Sequence, residues 1–520
     1  MKDKRKKVAA ILWLLAIVAL NSYVLWKNGK NLVNADDSSE LVLASLLSGG
    51  NGFISRGWVY SSELRVLNTQ WIRALLFRFT DSWTAVRVVG NLALDGWLLG
   101  AYRFFVGQLT EKKNWFWYTA PFLLLPFSHE AFYVMGEMGY YIPHLAISFT
   151  ILGLWLYLYR EKTHRKTAHL LLCALTFVSC LGGIRQLTVT LMPMWLAVLC
   201  LVFRHSRKLG TPREFFLKYS YLWTSSLAGV AGYLVNNKIL SRIFLFDTYS
   251  RLVLVQPTFD RLQVVLRTLL NTFGYSEDGV PDTPLFSGKG LFFVLSLCFM
   301  ALLLILVIQI WKRGRELSLP AEFLLLFSIY GFGIVFLLYV FTDMSITTRY
   351  YALSLMMFVP LLIVFYQEAD LSKGVKQLFL TATAVLLCVL GVAEYHSCLT
   401  SELNEGRMAS VAWLEQEGYT LGYSSFWNAN VLTELSDGQI EMVPLTEGRD
   451  GAPGLYPWLV KLDNLFPDEE RGPVFLLLYV HETDRYENLT ADRTPVYEDD
   501  NYYIYSYETA GEFLTLLNQE

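Results

Sequence analysis

Apolar runs long enough to cross a bilayer recur along most of this chain, and no other feature limits its fold so strongly. At ~1.5 Å of rise per residue, about 20 apolar residues cover the hydrocarbon core as a helix. On that rule the sequence predicts about eleven spans, near 8–26, 84–107, 115–133, 141–159, 168–183, 187–203, 217–236, 290–311, 321–341, 349–366 and 376–393. Composition agrees: 54% of the 520 residues are hydrophobic and only 17% are charged, with a mean hydropathy of +0.36. A water-soluble chain of this size carries more charge and shorter apolar runs. The expectation is a polytopic α-helical membrane protein.

Basic residues supply a test independent of hydropathy. Lys2, Lys4, Arg5, Lys6 and Lys7 precede the first span. Further clusters fall in every second connection: Lys112 and Lys113; Arg160, Lys162, Arg165 and Lys166; Arg204, Arg207, Lys208 and Arg213; Lys312, Arg313 and Arg315; Lys373 and Lys376. Positive charge gathers on the cytoplasmic side, so this register predicts a cytoplasmic N-terminus and an extracytoplasmic C-terminus. The first segment lacks a small-x-small cleavage site and is expected to be retained. Of the six cysteines, Cys173, Cys180, Cys200, Cys298 and Cys388 lie in apolar runs, and with Cys398 they show neither metal spacing nor a disulfide framework.

The expected division is a transmembrane region over 1–393 and a domain over 394–520. Two outer loops, 27–83 and 237–289, are too long for simple connections. In the first, Ser38 to Leu47 reads as an amphipathic helix with an acidic start, closed by Gly49-Gly50-Asn51-Gly52. Asn68 to Phe79 resumes helical spacing, with Trp71, Leu75 and Phe79 on one face and Arg73 and Arg78 elsewhere. Beyond Glu394 the composition turns polar. Helices are expected over 407–417 and 427–435, and strands over 421–424, 440–443, 474–480 and 502–507. That pattern predicts a small extracytoplasmic α/β domain.

The candidate chemistry sits beside the outer ends of the spans. Asp36 and Asp37 follow the first span and can serve as a general base or hold a metal; the plainer reading is a helix cap with an acidic loop. His129 and Glu130 lie at the end of the third span, followed by Glu137 and Tyr140-Tyr141. Ionisable groups at membrane depth face a cavity by default, whereas polar tips at the interface can also be anchors. A metal site drawn from Asp36 or Asp37 with His129 or Glu130 is chemically open; Asp37, His129 and Glu130 are its candidates. Arg185 and Arg349 break the positive-inside pattern. A guanidinium there can take a phosphate in bidentate fashion, or snorkel, or pair with an acid such as Asp343. Asp95 and Asn91 form a polar face in the second span, for which pairing inside the bundle is expected.

An acid pair after the first span, an acid in the next short outer connection, the late Arg349-Tyr350 and a C-terminal outer domain together resemble the GT-C class of glycosyltransferases. Within it the chain resembles protein mannosyltransferases and the aminoarabinose transferases of lipid A, and the stretch from Val411 to Asn430 is similar to the tails of such proteins. The resemblance implies an inverting transfer from a polyprenyl-phosphate sugar to an extracytoplasmic acceptor, within membrane lipid and with no nucleic-acid partner. It implies Asp36 or Asp37 as the base, Glu130 as the second acid, and Arg185 or Arg349 at the donor phosphate. His129, Glu137 and Tyr350 are added as substrate contacts. His129-Glu130 stands where the class has Asp-x-Asp, which leaves a divalent metal open. The rivals are a lipid-linked saccharide transporter or flippase, a polysaccharide polymerase or ligase, and a noncatalytic assembly subunit. A transporter favours charge near the midplane and repeated halves, and this chain shows neither.

Overall fold

Within hydrocarbon every backbone amide must find its partner inside its own segment, so long apolar runs close as helices. The computed structural model describes residues 2–50, 52–61, 64, 66–137, 139–160, 165–209, 219–246, 252–276, 282–447 and 453–518; Lys162, Arg213 and Pro281 fall outside them. Among the described residues, seven helices are long and apolar enough to cross a membrane: Lys4–Leu32, Ile142–Arg160, Leu187–His205, Gly288–Trp311, Leu319–Phe341, Thr348–Glu368 and Lys373–Leu399. The chain is a multi-pass helical membrane protein with a small β-containing region towards its C-terminus. Helices Trp83–Leu109, Arg165–Cys180 and Ser220–Lys238 occupy three more of the stretches that hydropathy selects.

The stretch 115–133 departs from expectation, because it is not one helix. It breaks into Trp115–Thr119, Pro121–Leu124 and His129–Phe132. Leu125, which precedes Pro126, is extended at ψ 117°, as the proline ring demands of its neighbour. Ser128 then starts a new turn by accepting the Ala131 amide at 3.2 Å.

The chain packs into two compact units. The first comprises Met1–Tyr23, Asn91–Lys238 and Ser250–Ser397; the second comprises Val24–Gly90, Ile239–Tyr249 and Cys398–Glu520. In the first, the amphipathic helix Phe259–Thr272 is capped by Thr258 and packs Val265 with Val335, Tyr339, Val340 and Tyr351. Arg261 donates to the Tyr339 carbonyl at 2.6 Å and the Met344 carbonyl at 3.2 Å. These bonds anchor the segment that leads into helix Thr348–Leu355.

The second unit is built on a six-stranded mixed sheet. Its order is Pro453–Leu455, Glu441–Glu447, Leu421–Ser425, Val474–Tyr479, Tyr502–Tyr507 and Tyr497–Glu498. The central strand Leu421–Ser425 runs parallel to both neighbours. Val474–Tyr479 is apolar on both faces, as a strand covered on both sides must be. Phe475 and Leu477 face one core with Phe426 and Leu432, whereas Leu476 and Leu478 face another with Phe513. Gly422 is needed where it stands: a Cβ there would lie 2.2 Å from the Phe475 ring. A second, three-stranded sheet joins Trp58–Tyr60 to Leu245–Phe246 and Val460–Lys461. Trp58–Tyr60 from the first long loop and Leu245–Phe246 from the second are thereby stitched to the C-terminal region within one unit.

Candidate active site

Two arginines of the first unit act on one tyrosine, one in contact with its ring and one through its field. Arg185 lies over three rings, with its guanidinium carbon 5.2 Å from Tyr140, 5.1 Å from Tyr141 and 5.2 Å from Tyr350. The ring faces are electron-rich, so they hold the cation without neutralising it. Tyr141 also lies in the field of Arg349 and hydrogen-bonds Arg185. Glu130 is engaged in turn by the Thr348 side chain, Arg349 and His129. Of the residues selected from sequence, His129, Glu130, Arg185, Arg349 and Tyr350 are thus brought together.

Local sequence explains each placement. Arg185 follows Gly182-Gly183, and Gly183 ends helix Arg165–Cys180 at φ +121°, where a side chain would be strained. Next comes a π-helical turn over Leu187–Leu191. Pro193 has no amide to return to Val189, so the ladder widens there. Gln186 hydrogen-bonds the His144 carbonyl at 3.1 Å and accepts from Thr190 at 2.7 Å, fixing the turn. A second π-helical turn, Tyr133–Glu137, ends on the buried Glu137. Asn91 donates to the Gly136 and Glu137 carbonyls, which gives that polar residue its role in the bundle. Arg349 stands in the first turn of Thr348–Leu355, where the helix dipole repels a cation. Ser128 donates to the Thr272 carbonyl at 2.8 Å, and Thr272 to the Thr348 carbonyl at 3.4 Å. This short relay holds the Glu130 and Arg349 segments in register.

His129 Nδ1 lies 3.2 Å from Glu394 Oε1, with the imidazole mostly exposed and the carboxylate buried. One ring nitrogen and one carboxylate oxygen are a donor set that suits a divalent ion such as zinc. These two residues could therefore hold a metal. Glu394 carried no local signal, because its partner is 265 positions away.

Asp36 and Asp37 belong to the second unit. They lie in the first turn of helix Ala35–Ser48, and neither is its cap: Asn34 Oδ1 accepts the amides of both. Asp37 is fully buried, while Asp36 keeps some exposure. One turn on, Glu40 is buried and accepts from Thr69 at 3.0 Å. Arg73, which the helical spacing set off the Trp71, Leu75 and Phe79 face, is completely enclosed, and Phe79 of that expected apolar stripe is 79% exposed. Burial and the neighbouring Arg87 push the Arg73 guanidinium down to about 10, against the pull of Glu40, Glu434 and Asp37. Arg87 forks onto Glu434 with contacts of 2.7 and 2.9 Å. Sequence reading missed this buried network. Its one local trace was the i, i+3 spacing of Asp37 and Glu40, which sets both acids on one helix face.

Comparison with known proteins supplies the architecture. No family model matches the chain, and no curated protein does. Solved structures do match. The apo crystal structure of ArnT from Cupriavidus metallidurans superposes with a TM-score of 0.51 at 12% identity, covering 96% of this chain and 98% of that one. The fold is that of ArnT. The same protein bound to undecaprenyl phosphate gives a TM-score of 0.50 at 13% identity, covering 95% and 98%. An oligosaccharyltransferase from Archaeoglobus fulgidus, in complex with Zn and sulfate, gives 0.45 at 11% identity over 90% of this chain and 68% of that one. The two ArnT superpositions show the fold that the resemblance implied, the GT-C fold.

Proposed function

We propose that the protein is an inverting membrane glycosyltransferase that moves a sugar from a polyprenyl-phosphate donor to an extracytoplasmic acceptor, a cell-envelope glycan, lipid or protein. The observation that carries this reading is Arg185 seated over the ring of Tyr141, a tyrosine that also lies in the field of Arg349. The fields of the two guanidinium groups meet at Tyr141 and make that neighbourhood positive, and one of the two also opposes a helix dipole. A phosphate relieves both costs and accepts planar, bidentate hydrogen bonds. ArnT, whose fold this chain shares, has been crystallised with undecaprenyl phosphate.

In this reading Arg185 and Arg349 take the leaving phosphate and stabilise its growing charge. Glu130 balances Arg349, and Tyr140, Tyr141 and Tyr350 fix the guanidinium of Arg185. Asp36, the more accessible of the adjacent acids, takes the proton of the acceptor hydroxyl. Asp37 is the positioning partner, tied through Arg73 to the buried network. His129 and Glu394 are the residues that would hold a divalent ion. The finer topology belongs to the same proposal: about eleven spans, an N-terminus in the cytoplasm, and Asp36 and the C-terminal region outside.

The deciding experiment is transfer from a panel of labelled polyprenyl-phosphate sugars by purified protein. Asp36→Asn is expected to lower turnover by about a hundredfold or more, the scale of a lost general base. Arg185→Gln and Arg349→Gln are expected to raise the donor KM as well. Undiminished transfer by Asp36→Asn, Asp37→Asn and their combination would defeat the assignment.

A further inference from the structure

The sheet of the second unit contains a topological switch point. From Leu421–Ser425 the chain turns into helix Phe426–Leu435, whose Phe426 and Leu432 join the core on one face. From the parallel neighbour Val474–Tyr479 it turns the other way, and Tyr486 and Leu489 join the core on the opposite face. Two adjacent parallel strands whose continuations part to opposite faces leave a crevice beyond their carboxyl ends, where open α/β sheets bind their ligands. A cavity of 520 Å³ lies there, lined by Glu402, Glu405, Arg407, Trp427, Tyr479 and Tyr502 among others.

Its floor is a built polar network. Asn428, 2% exposed, donates to Ser425 Oγ at 3.1 Å and Glu482 Oε2 at 3.4 Å. The same Glu482 oxygen accepts from Ser425 at 3.2 Å and from the Tyr479 amide at 3.3 Å. Arg407 donates to Asn428 Oδ1 at 2.9 Å and to Asn404 Oδ1 at 2.5 Å, with its guanidinium over the Tyr502 ring. Above this floor Trp427 is 63% exposed, and Glu402 and Glu405 are exposed beside it.

We propose that this crevice binds a neutral or cationic saccharide. An open indole supplies an apolar platform for the C–H face of a sugar ring, and carboxylates and amides accept and donate to its hydroxyls. Three carboxylates against one already engaged guanidinium repel phosphates and nucleotides. The turn Ser425-Phe426-Trp427-Asn428 also lacks the glycines that let a backbone cradle a pyrophosphate. The inference concerns binding and needs no transfer reaction.

The test uses the full-length protein in lipid nanodiscs and calorimetric titration. The probes are a tetrasaccharide of N-acetylglucosamine, its deacetylated cationic counterpart, maltotetraose, a nucleoside triphosphate and a glutamate-rich peptide. Saturable binding of at least one saccharide is expected, weakened about tenfold by Trp427→Ala and retained by Trp427→Phe, the scale of one lost stacking contact. The indole is mostly in solvent, so neither substitution threatens the fold. Binding of no saccharide, binding indifferent to Trp427→Ala, or preference for the nucleotide or the peptide overturns the proposal. Loss of saccharide binding with transfer intact would refute this inference alone; the reverse result would refute the transferase reading alone.

Discussion

Arginine cannot shed its proton at any working pH, so burying one commits the surrounding structure to supply countercharge. The second unit buries two, Arg73 and Arg87, and answers them with Asp37, Glu40 and Glu434. The Arg87–Glu434 fork is almost wholly enclosed, at 2% and 5% side-chain exposure. Removing either partner strands the other charge. Arg87→Met and Glu434→Leu should each lower the unfolding free energy by about 3–5 kcal/mol, and the double variant by much less than their sum. Denaturant unfolding of the purified protein in detergent, followed as a double-mutant cycle, measures this; additive losses would show that the two side chains do not act as a pair. At this scale the sequence was legible only where chemistry is announced locally. Arg185 and Arg349 stood out because they break the charge rule for outer connections. Arg73 did not, since the acids and the arginine around it come from other elements, Asp37 and Glu40 before it and Arg87 and Glu434 after it.

Among the elements, hydropathy located the helices well and failed where proline intervenes. Pro121 and Pro126 broke the expected span 115–133 and freed Ser128 to begin the short helix that carries His129 and Glu130. The short α/β elements were legible too: the strand expected over 502–507 is Tyr502–Tyr507, and that over 474–480 is Val474–Tyr479. Alternation and turn residues set those boundaries. What they could not convey is which strands pair. Strand Glu441–Glu447 is held to its surroundings by Glu441, whose carboxylate meets Lys461 at 3.0 Å and Arg471 at 3.3 Å. Partial burial raises its pKa, but the two cations outweigh this and leave it below the usual glutamate value. A depressed pKa means that the folded form binds the proton more weakly. The ion pairs therefore contribute in full above the unfolded-state pKa and are lost as pH falls through the folded one. Glu441→Gln should cost about 1 kcal/mol at neutral pH and remove part of the loss of stability between about pH 5 and pH 3. Parallel thermal unfolding profiles for the two proteins across that range would contradict the role given to Glu441.

At the level of the whole molecule, pairing over long sequence distances decides what the chain becomes. Trp58–Tyr60 finds Leu245–Phe246 and Val460–Lys461, three segments with no mutual signal in sequence, so that residues on either side of most of the helices share one unit. Segments that share a folded unit outside the bilayer must all lie on one side of it. That condition joins with the charge rule. If the basic connections around Lys112 and Arg315 are cytoplasmic, as the charge rule expects, the segments of the second unit lie together on the other side. None of the six cysteines is joined in a disulfide, so each can be replaced without breaking a crosslink. In a cysteine-free background, Asp484→Cys in the second unit and Arg315→Cys between helices Gly288–Trp311 and Leu319–Phe341 both place a thiol at an exposed position. A membrane-impermeant maleimide added to intact cells should label Asp484→Cys and spare Arg315→Cys until the membrane is permeabilised. Labelling of Arg315→Cys in intact cells would invert the topology and set Asp36 on the cytoplasmic face. An extracytoplasmic acceptor would then be out of its reach.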